Sequence, residues 1–255
     1  MADIGKKPVF TLDVAENLYD KQALFYDSKA KFRAFVGGLG SGKTWVGSVA
    51  SIVEMATHPK TLGAILAPTY PLLRDSTIRT FFEICPRELI KEYNRSEQRV
   101  VFRNNAEAIF RPCDDPNSID RLRNINLAWA WMDEAALNPE YAWRILVGRL
   151  RDPKGSLKAW ITTTPKGFGW IWEKWVNNPT ENYFMVNATS EENVHLPKEY
   201  IETLKSEYTG VFARQEIYGQ FVGHEGAVYP EFSRSVHVIN IIPITENGII
   251  IGIDI

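Results

Sequence analysis

Apolar side chains recur at helical spacing over residues 14–28, where Val14, Leu18, Ala23 and Phe25 fall on one stripe, and the pattern predicts a helix. A short apolar run, Ala34-Phe35-Val36, reads as a strand; a glycine-rich stretch then separates it from a second helical pattern over 43–55. Residues 62–67 are apolar and stop at Pro68, which predicts a buried strand, and a helix is expected over 72–82. Residues 99–102 and 107–110 flank Asn104-Asn105, a β-hairpin signal. Residues 127–132, rich in tryptophan, predict another buried strand that closes on Asp133-Glu134. Asn138-Pro139 marks the start of a helix to about Leu150, and 159–163 and 183–186 read as two further strands. Strands alternating with helices imply an α/β fold, a mostly parallel sheet covered on both faces.

The pattern changes near residue 190. Two helices are expected over 197–208 and 211–218, followed by a loop-rich stretch with Gly223, Gly226 and Pro230. Residues 248–255 form an apolar strand pattern carrying one acid, Asp254, so either this strand docks onto the preceding domain or a segment of a second domain is expected there.

Composition narrows this picture only slightly. A chain of 255 residues with 45% hydrophobic and 24% charged side chains can bury a core without disulfides or a structural metal. Its two cysteines, Cys85 and Cys113, make no metal-ligand pattern and are expected to be packing residues in a reducing compartment. No run approaches the roughly 20 apolar residues of a membrane span, and the first residues lack the apolar stretch of a secretory signal. A net charge of −2 excludes a polycation that coats nucleic acid indiscriminately, so any DNA contact needs a local patch. Arg144, Arg149, Arg151, Lys154, Lys158 and Lys166, interrupted by the single acid Asp152, are the candidate.

The chemistry is concentrated in a few motifs. Gly37-Gly38-Leu39-Gly40-Ser41-Gly42-Lys43-Thr44 fits G-x-x-x-x-G-K-[ST] in full, between an apolar strand and a helix. The glycines let backbone N–H groups turn inward around phosphate oxygens, and the helix N-terminus adds positive potential. Lys43 is placed to reach the β- and γ-phosphates of ATP, and the Thr44 hydroxyl to hold Mg²⁺. Asp133 and Glu134 close their strand as a Walker B segment does: Asp133 for Mg²⁺, Glu134 as the general base that polarises water. The second acid favours hydrolysis over transfer to a small molecule. Thr162, Thr163 and Thr164, before Pro165, end the next strand, where hydroxyls can bond the catalytic carboxylate or the γ-phosphate; β-branched residues also simply favour strands. Arg121 and Arg123 precede the Walker B strand, and Gln22 is a candidate for reading an adenine edge.

Together these motifs resemble the large terminase subunit of tailed bacteriophages, the ATP-driven motor that packages DNA into a procapsid. The resemblance runs from about Tyr19 to the last residue. It rests on the loop 37–44, Ala67-Pro68-Thr69-Tyr70, Arg121-Leu122-Arg123, Trp129-Ala130-Trp131-Met132-Asp133-Glu134-Ala135, Thr162-Thr163-Thr164-Pro165-Lys166-Gly167 and Tyr218-Gly219-Gln220-Phe221. It implies a P-loop NTPase domain of the ASCE, RecA-like kind over 1–190, a helical linker over 191–245, and over 246–255 the first strand of an RNase H-like nuclease. Asp254 would be that nuclease's first metal ligand, and the polypeptide as given is not expected to cut DNA. The resemblance makes Thr162, Thr163 and Thr164 a coupling motif and Arg123 a finger acting on a neighbouring subunit. Many relatives carry arginine mid-loop where this chain has Leu39, which shifts weight to Arg123, with Arg121 as the competitor.

The implied partners are double-stranded DNA, a portal protein, a small terminase subunit and further copies of this chain in a ring. The implied setting is the cytoplasm of an infected bacterium, transiently at the procapsid portal, with no membrane. Two rival functions are a helicase-like ATPase, which predicts a second RecA-like domain, and a nucleotide-binding scaffold with little turnover.

Overall fold

A computed structural model describes residues 18–223; residues 14–17 of the first expected helix and Asp254 with its strand lie outside them. Among the described residues, eight strands build one sheet. They are β1 (Phe32–Gly37), β2 (Leu62–Ala67), β3 (Ile90–Asn94), β4 (Arg99–Phe102), β5 (Glu107–Pro112), β6 (Trp129–Asp133), β7 (Lys158–Thr163) and β8 (Tyr183–Ala188). Their order is β3-β4-β5-β2-β6-β7-β1-β8. From β5 to β8 every pairing is parallel, and β3 and β4 add an antiparallel edge. The β4–β5 hairpin turns at Asn104-Asn105, where Asn105 takes the left-handed conformation at φ 61°. β3 carries no burial alternation that its sequence would reveal, because both its faces are largely solvated.

Helices cover both faces. On one lie α1 (Asp20–Asp27), α2 (Lys43–Thr57) and a helix that begins as α3 (Tyr70–Leu72), widens into a π-helical stretch (Leu73–Ile78) and ends as α4 (Arg79–Ile84). On the other lie α5 (Pro116–Asp120), α6 (Glu140–Arg149) and α7 (Trp170–Trp172). Two short helices, α8 (Lys198–Glu207) and α9 (Gly210–Glu216), follow β8. No helix among the described residues is long and apolar enough to cross a membrane.

The strand period of two sorts the side chains. Phe35, Ile65, Trp129, Trp131 and Trp160 face α1 and α2, whereas Ala34, Val36, Ala64, Met132 and Ile161 face α5 and α6. On β6 the same period puts Asp133 on the face of Trp129 and Trp131, and on β7 it puts Thr162 on the face of Trp160. Asp133 and Thr162 are register partners, so Asp133 meets Thr162 rather than Thr163. The indoles fill the space beneath α2: Trp129 and Trp160 stack with centroids 5.5 Å apart, and room for Trp131 is made by Gly47. Arg33, buried on the same face, donates to the carbonyls of Phe25 (3.4 Å) and Tyr26 (3.0 Å) and lies over the Phe25 and Trp160 rings.

A Cβ on Gly47 would come within 2.3 Å of the Trp131 ring, and one on Gly63 within 2.0 Å of Trp129. Helix propensity alone would make Gly47→Ala stabilising by about 1 kcal/mol. Trp131 is fully buried and hydrogen-bonded, so it cannot give way, and overpacking should win. Both Gly47→Ala and Gly63→Ala are expected to destabilise by about 1–3 kcal/mol in denaturant unfolding; a stabilised Gly47→Ala would contradict this packing.

Candidate functional site

The loop between β1 and α2 is held by its glycines. Gly40 and Gly42 have φ of 69° and 74°, a region that side chains with a Cβ enter only at a cost, and Gly42 caps α2. Lys43, 7% exposed, reaches its ammonium back across the loop to the Gly38 carbonyl at 2.9 Å, and the Ser41 hydroxyl donates to the same oxygen at 2.7 Å. Burial lowers the Lys43 pKa, opposed by the nearby carboxylates of Glu134, Asp133 and Glu216. From α1, the Gln22 amide donates to the Gly42 carbonyl (3.0 Å), and just before that helix the Tyr19 hydroxyl donates to the Ser41 carbonyl (2.6 Å). Gln22 Oε1 is buried without a partner among the described residues. Beside it a cavity of about 450 Å³ is lined by Gln22, Gly42, Trp45, Asn193 and His195.

Asp133 lies at the bottom of the site, 1% exposed. Its Oδ1 accepts the Thr162 hydroxyl at 2.7 Å and the Glu134 N–H at 3.1 Å, and its Oδ2 accepts the Thr77 hydroxyl at 2.8 Å. The Thr44 hydroxyl lies 3.2 and 3.4 Å from the two oxygens. The indole N–H of Trp131 donates to Thr162 Oγ1 at 2.8 Å, so the threonine proton is left to point at Asp133. Glu134 follows in the left-handed conformation, φ 45° and ψ 48°, and its carboxylate faces the Thr164 N–H at 3.5 Å. Such strain on a non-glycine residue costs of order 1–3 kcal/mol and concentrates at functional sites. Burial raises the pKa of both acids; threonine hydroxyls and Lys43 oppose this at Asp133, and Lys43 opposes it at Glu134. Thr163 faces the opposite side of the sheet, where its hydroxyl accepts the Ala136 N–H at 3.0 Å and so fixes the turn after Glu134.

Thr44 beside Asp133 offers hard oxygen donors of the kind Mg²⁺ takes, and a Mg²⁺ bound with ATP takes its other ligands from phosphate and water.

The structure therefore gathers residues 37–44, Gln22, Asp133, Glu134, Thr162 and Thr164. Arg123 is not with them: it is exposed, bonds Asp120 Oδ1 at 2.7 Å and the Tyr141 hydroxyl, and lies over the Tyr141 ring. Arg121 is exposed as well. In the basic stretch, Arg144 pairs with Glu140 at 2.9 Å, Arg149 donates to the Arg123 carbonyl and Arg151 to Asn126 Oδ1, while Lys154 and Lys166 are exposed.

Three contributions were not read from the sequence. Thr77 comes from a helix whose pattern signals only a core face. The 188–219 segment packs on the loop: the Leu39 N–H donates to the Glu216 carbonyl (2.6 Å), the Gly38 N–H to the Ala188 carbonyl (3.1 Å), and the Asn193 amide to the Gly40 carbonyl (2.6 Å). A Cβ on Gly38 would meet the Ile217 carbonyl at 2.2 Å, so the second loop glycine serves this contact. The buried thiols of Cys85 and Cys113, each pushed up to about 12, are packing groups as expected.

A glycine loop opening a helix, with one strand, β7, standing between the loop's own strand and the strand that ends on the acids, defines a P-loop NTPase of the ASCE class. The chain belongs to the family of the terminase large subunit, T4likevirus-type, N-terminal, whose model matches residues 34–236. It is 23% identical over 236 residues to the PBSX phage terminase large subunit of Bacillus subtilis, covering 81% of this chain and 53% of that protein. It is 29% identical over 174 residues to the terminase large subunit of Thermus phage G20c, covering 60% and 34%. The chain thus spans about half the length of the Bacillus relative and a third of the Thermus one. Its fold is shared with the large terminase of a thermophilic bacteriophage in complex with ADP, with TM-score 0.74, 23% identity and 89% of this chain covering 60% of that one. It is also shared with the large terminase ATPase domain of Thermus phage P74-26, with TM-score 0.64, 22% identity and 80% of this chain covering 94% of that domain.

Asp133 has a raised folded pKa, so its contribution to stability is present below the unfolded value of about 4 and is lost as pH rises towards the folded one. In the nucleotide-free chain this group therefore contributes a loss of stability as pH rises from about 4, against acids such as Asp115 and Asp120 whose lowered pKa values act in the opposite sense. Asp133→Asn should flatten that slope and raise the midpoint at neutral pH by about 2–4 °C for each kcal/mol removed. Thermal unfolding at stepped pH checks this, and a lower midpoint for Asp133→Asn at neutral pH would contradict it.

Proposed function

We propose that this chain is the ATP-hydrolysing motor domain of a phage DNA-packaging terminase. The observation that carries the reading is the pairing of Thr44 with Asp133 at the loop, next to a Glu134 carboxylate that no lysine or arginine side chain bonds among the described residues. In this reading Lys43 leaves the Gly38 carbonyl for the β- and γ-phosphates. The N–H groups of Gly40, Gly42, Lys43 and Thr44, which are not given to the carbonyls that hold Gly38, Leu39 and Ser41, would cradle the phosphate chain, and adenine enters the cavity beside Gln22, whose free Oε1 suits an amino group. Thr44 and Asp133 would hold Mg²⁺, which supplies neutralisation of phosphate charge. Glu134, its pKa raised by burial, takes the proton of the attacking water. The large terminase of the thermophilic bacteriophage was solved in complex with ADP and with ATP-γ-S, which supports nucleotide binding in this reading.

Thr162, bonded to Asp133, and Thr164, facing Glu134, would pass the loss of γ-phosphate to the β7 end, with Thr163 holding the turn at Ala136. Arg123 is proposed as the finger offered to a neighbouring copy's γ-phosphate: it lies at the surface, away from its own loop, and two anchors pre-orient it. We further propose double-stranded DNA as the substrate moved, contacted by the basic stretch from Arg149 to Lys166, and a ring of copies docked with portal protein and small subunit in the host cytoplasm. The division into motor (1–190), linker (191–245) and nuclease strand (246–255, with Asp254 as a metal ligand) is part of the same reading.

Single-turnover hydrolysis separates this from a scaffold. Glu134→Gln should slow the chemical step about 10²–10⁴-fold with nucleotide affinity retained; equal rates in the two proteins would remove Glu134 from the role of base. Arg123→Ala should cut turnover by roughly 10³–10⁵ in the assembled motor. In mixing experiments its loss should be rescued by subunits that carry Arg123 but lack Glu134. Absence of such rescue would contradict action between subunits.

A further inference from the structure

Thr77 has no packing reason to be a threonine. It sits in the π-helical stretch Leu73–Ile78, 1% exposed, on the face that buries Leu73, Ile78 and Phe81 in the apolar core. Valine has the same shape and would suit those neighbours, whereas a hydroxyl buried there is costly unless it is bonded. Its one side-chain hydrogen bond among the described residues is to Asp133 Oδ2, at 2.8 Å. The π-helical form is rare and tends to occur at functional sites, because one wide turn re-aims the side chains it carries.

The two close threonines divide the carboxylate between them. Thr162, with its acceptor side filled by Trp131, donates to Oδ1, and Thr77 donates to Oδ2. Fixing one bond on each oxygen from two different elements sets the plane of the carboxylate. Thr44 spans both oxygens at 3.2 and 3.4 Å, the longest of these contacts and the one that a cation shared by Thr44 and Asp133 would replace.

We infer that Thr77 is a positioning residue for Mg²⁺: it holds the Asp133 carboxylate in the orientation in which Asp133 and Thr44 would hold the ion. This rests on the ATPase reading above and adds a residue that no sequence motif of the chain contains. Groups that orient a metal-bound side chain typically change metal affinity about 10–100-fold when removed.

The test is a Mg²⁺ titration of the full 255-residue chain bound to a fluorescent ATP analogue, read by fluorescence rather than turnover. Thr77→Val should raise the Mg²⁺ midpoint by about 10–100-fold while leaving metal-free nucleotide affinity unchanged. Thr77→Ser, which keeps the hydroxyl, should restore the wild-type midpoint. If Thr77→Val does not fold, Thr77→Ala is compared with Thr77→Ser by the same titration. A wild-type midpoint in Thr77→Val or Thr77→Ala, or an equal shift in Thr77→Ser, would overturn the inference and leave the ATPase reading standing. A wild-type protein whose nucleotide binding ignores Mg²⁺ would instead overturn the ATPase reading itself.

Discussion

The site depends on one buried carboxylate. Asp133 lies under the loop with almost no water and no direct bond to a lysine or arginine, so its charge is held by hydroxyls and one backbone N–H. Burying an ion in this way costs several kcal/mol unless every lone pair finds a donor. Three threonines from three elements, α2, the π-helical stretch and β7, are therefore brought to a single point. The sheet order serves the same end, since β7 must lie next to β6 for Thr162 to stand level with Asp133. The glycine at position 47 lets Trp131 lie under α2 while its indole N–H orients Thr162.

Much of this was legible in the chain. Uninterrupted apolar runs marked the buried strands β2 and β6, and Asn104-Asn105 marked the turn of a hairpin, because those signals are local. The loop 37–44 and the Asp133-Glu134 pair were legible because phosphate and metal chemistry restrict residue types at fixed spacing. What stayed hidden depends on distant contacts. Thr77 reads as one more residue on a helix face, and only the fold brings it to an acid 56 positions away. β3 is an edge strand whose exposed faces leave no periodic trace. Thr162, Thr163 and Thr164 looked alike in sequence, and strand alternation gave them three different partners.

The segment after β8 alters how the loop itself is understood. Its backbone takes the Leu39 and Gly38 N–H groups, the Asn193 amide takes the Gly40 carbonyl, and Glu216 adds a third acid within electrostatic reach of Lys43. A phosphate chain arriving at Lys43 would meet that acid, so nucleotide state and the position of α9 share the same few atoms. Arg149 and Arg151 have a comparable double duty: the guanidinium groups proposed for DNA also tether residues 123–126, the segment that presents Arg123. Each end of the proposed motor cycle thus acts on a short stretch of backbone that is already anchored.

The proposed motor takes its nucleotide at this loop, through Lys43. Calorimetric titration of ATP with Mg²⁺ into the wild-type chain and Lys43→Ala tests it most directly. One saturable site is expected in the wild type, with its loss in a Lys43→Ala protein that remains folded; equal binding by the two proteins would place the nucleotide elsewhere.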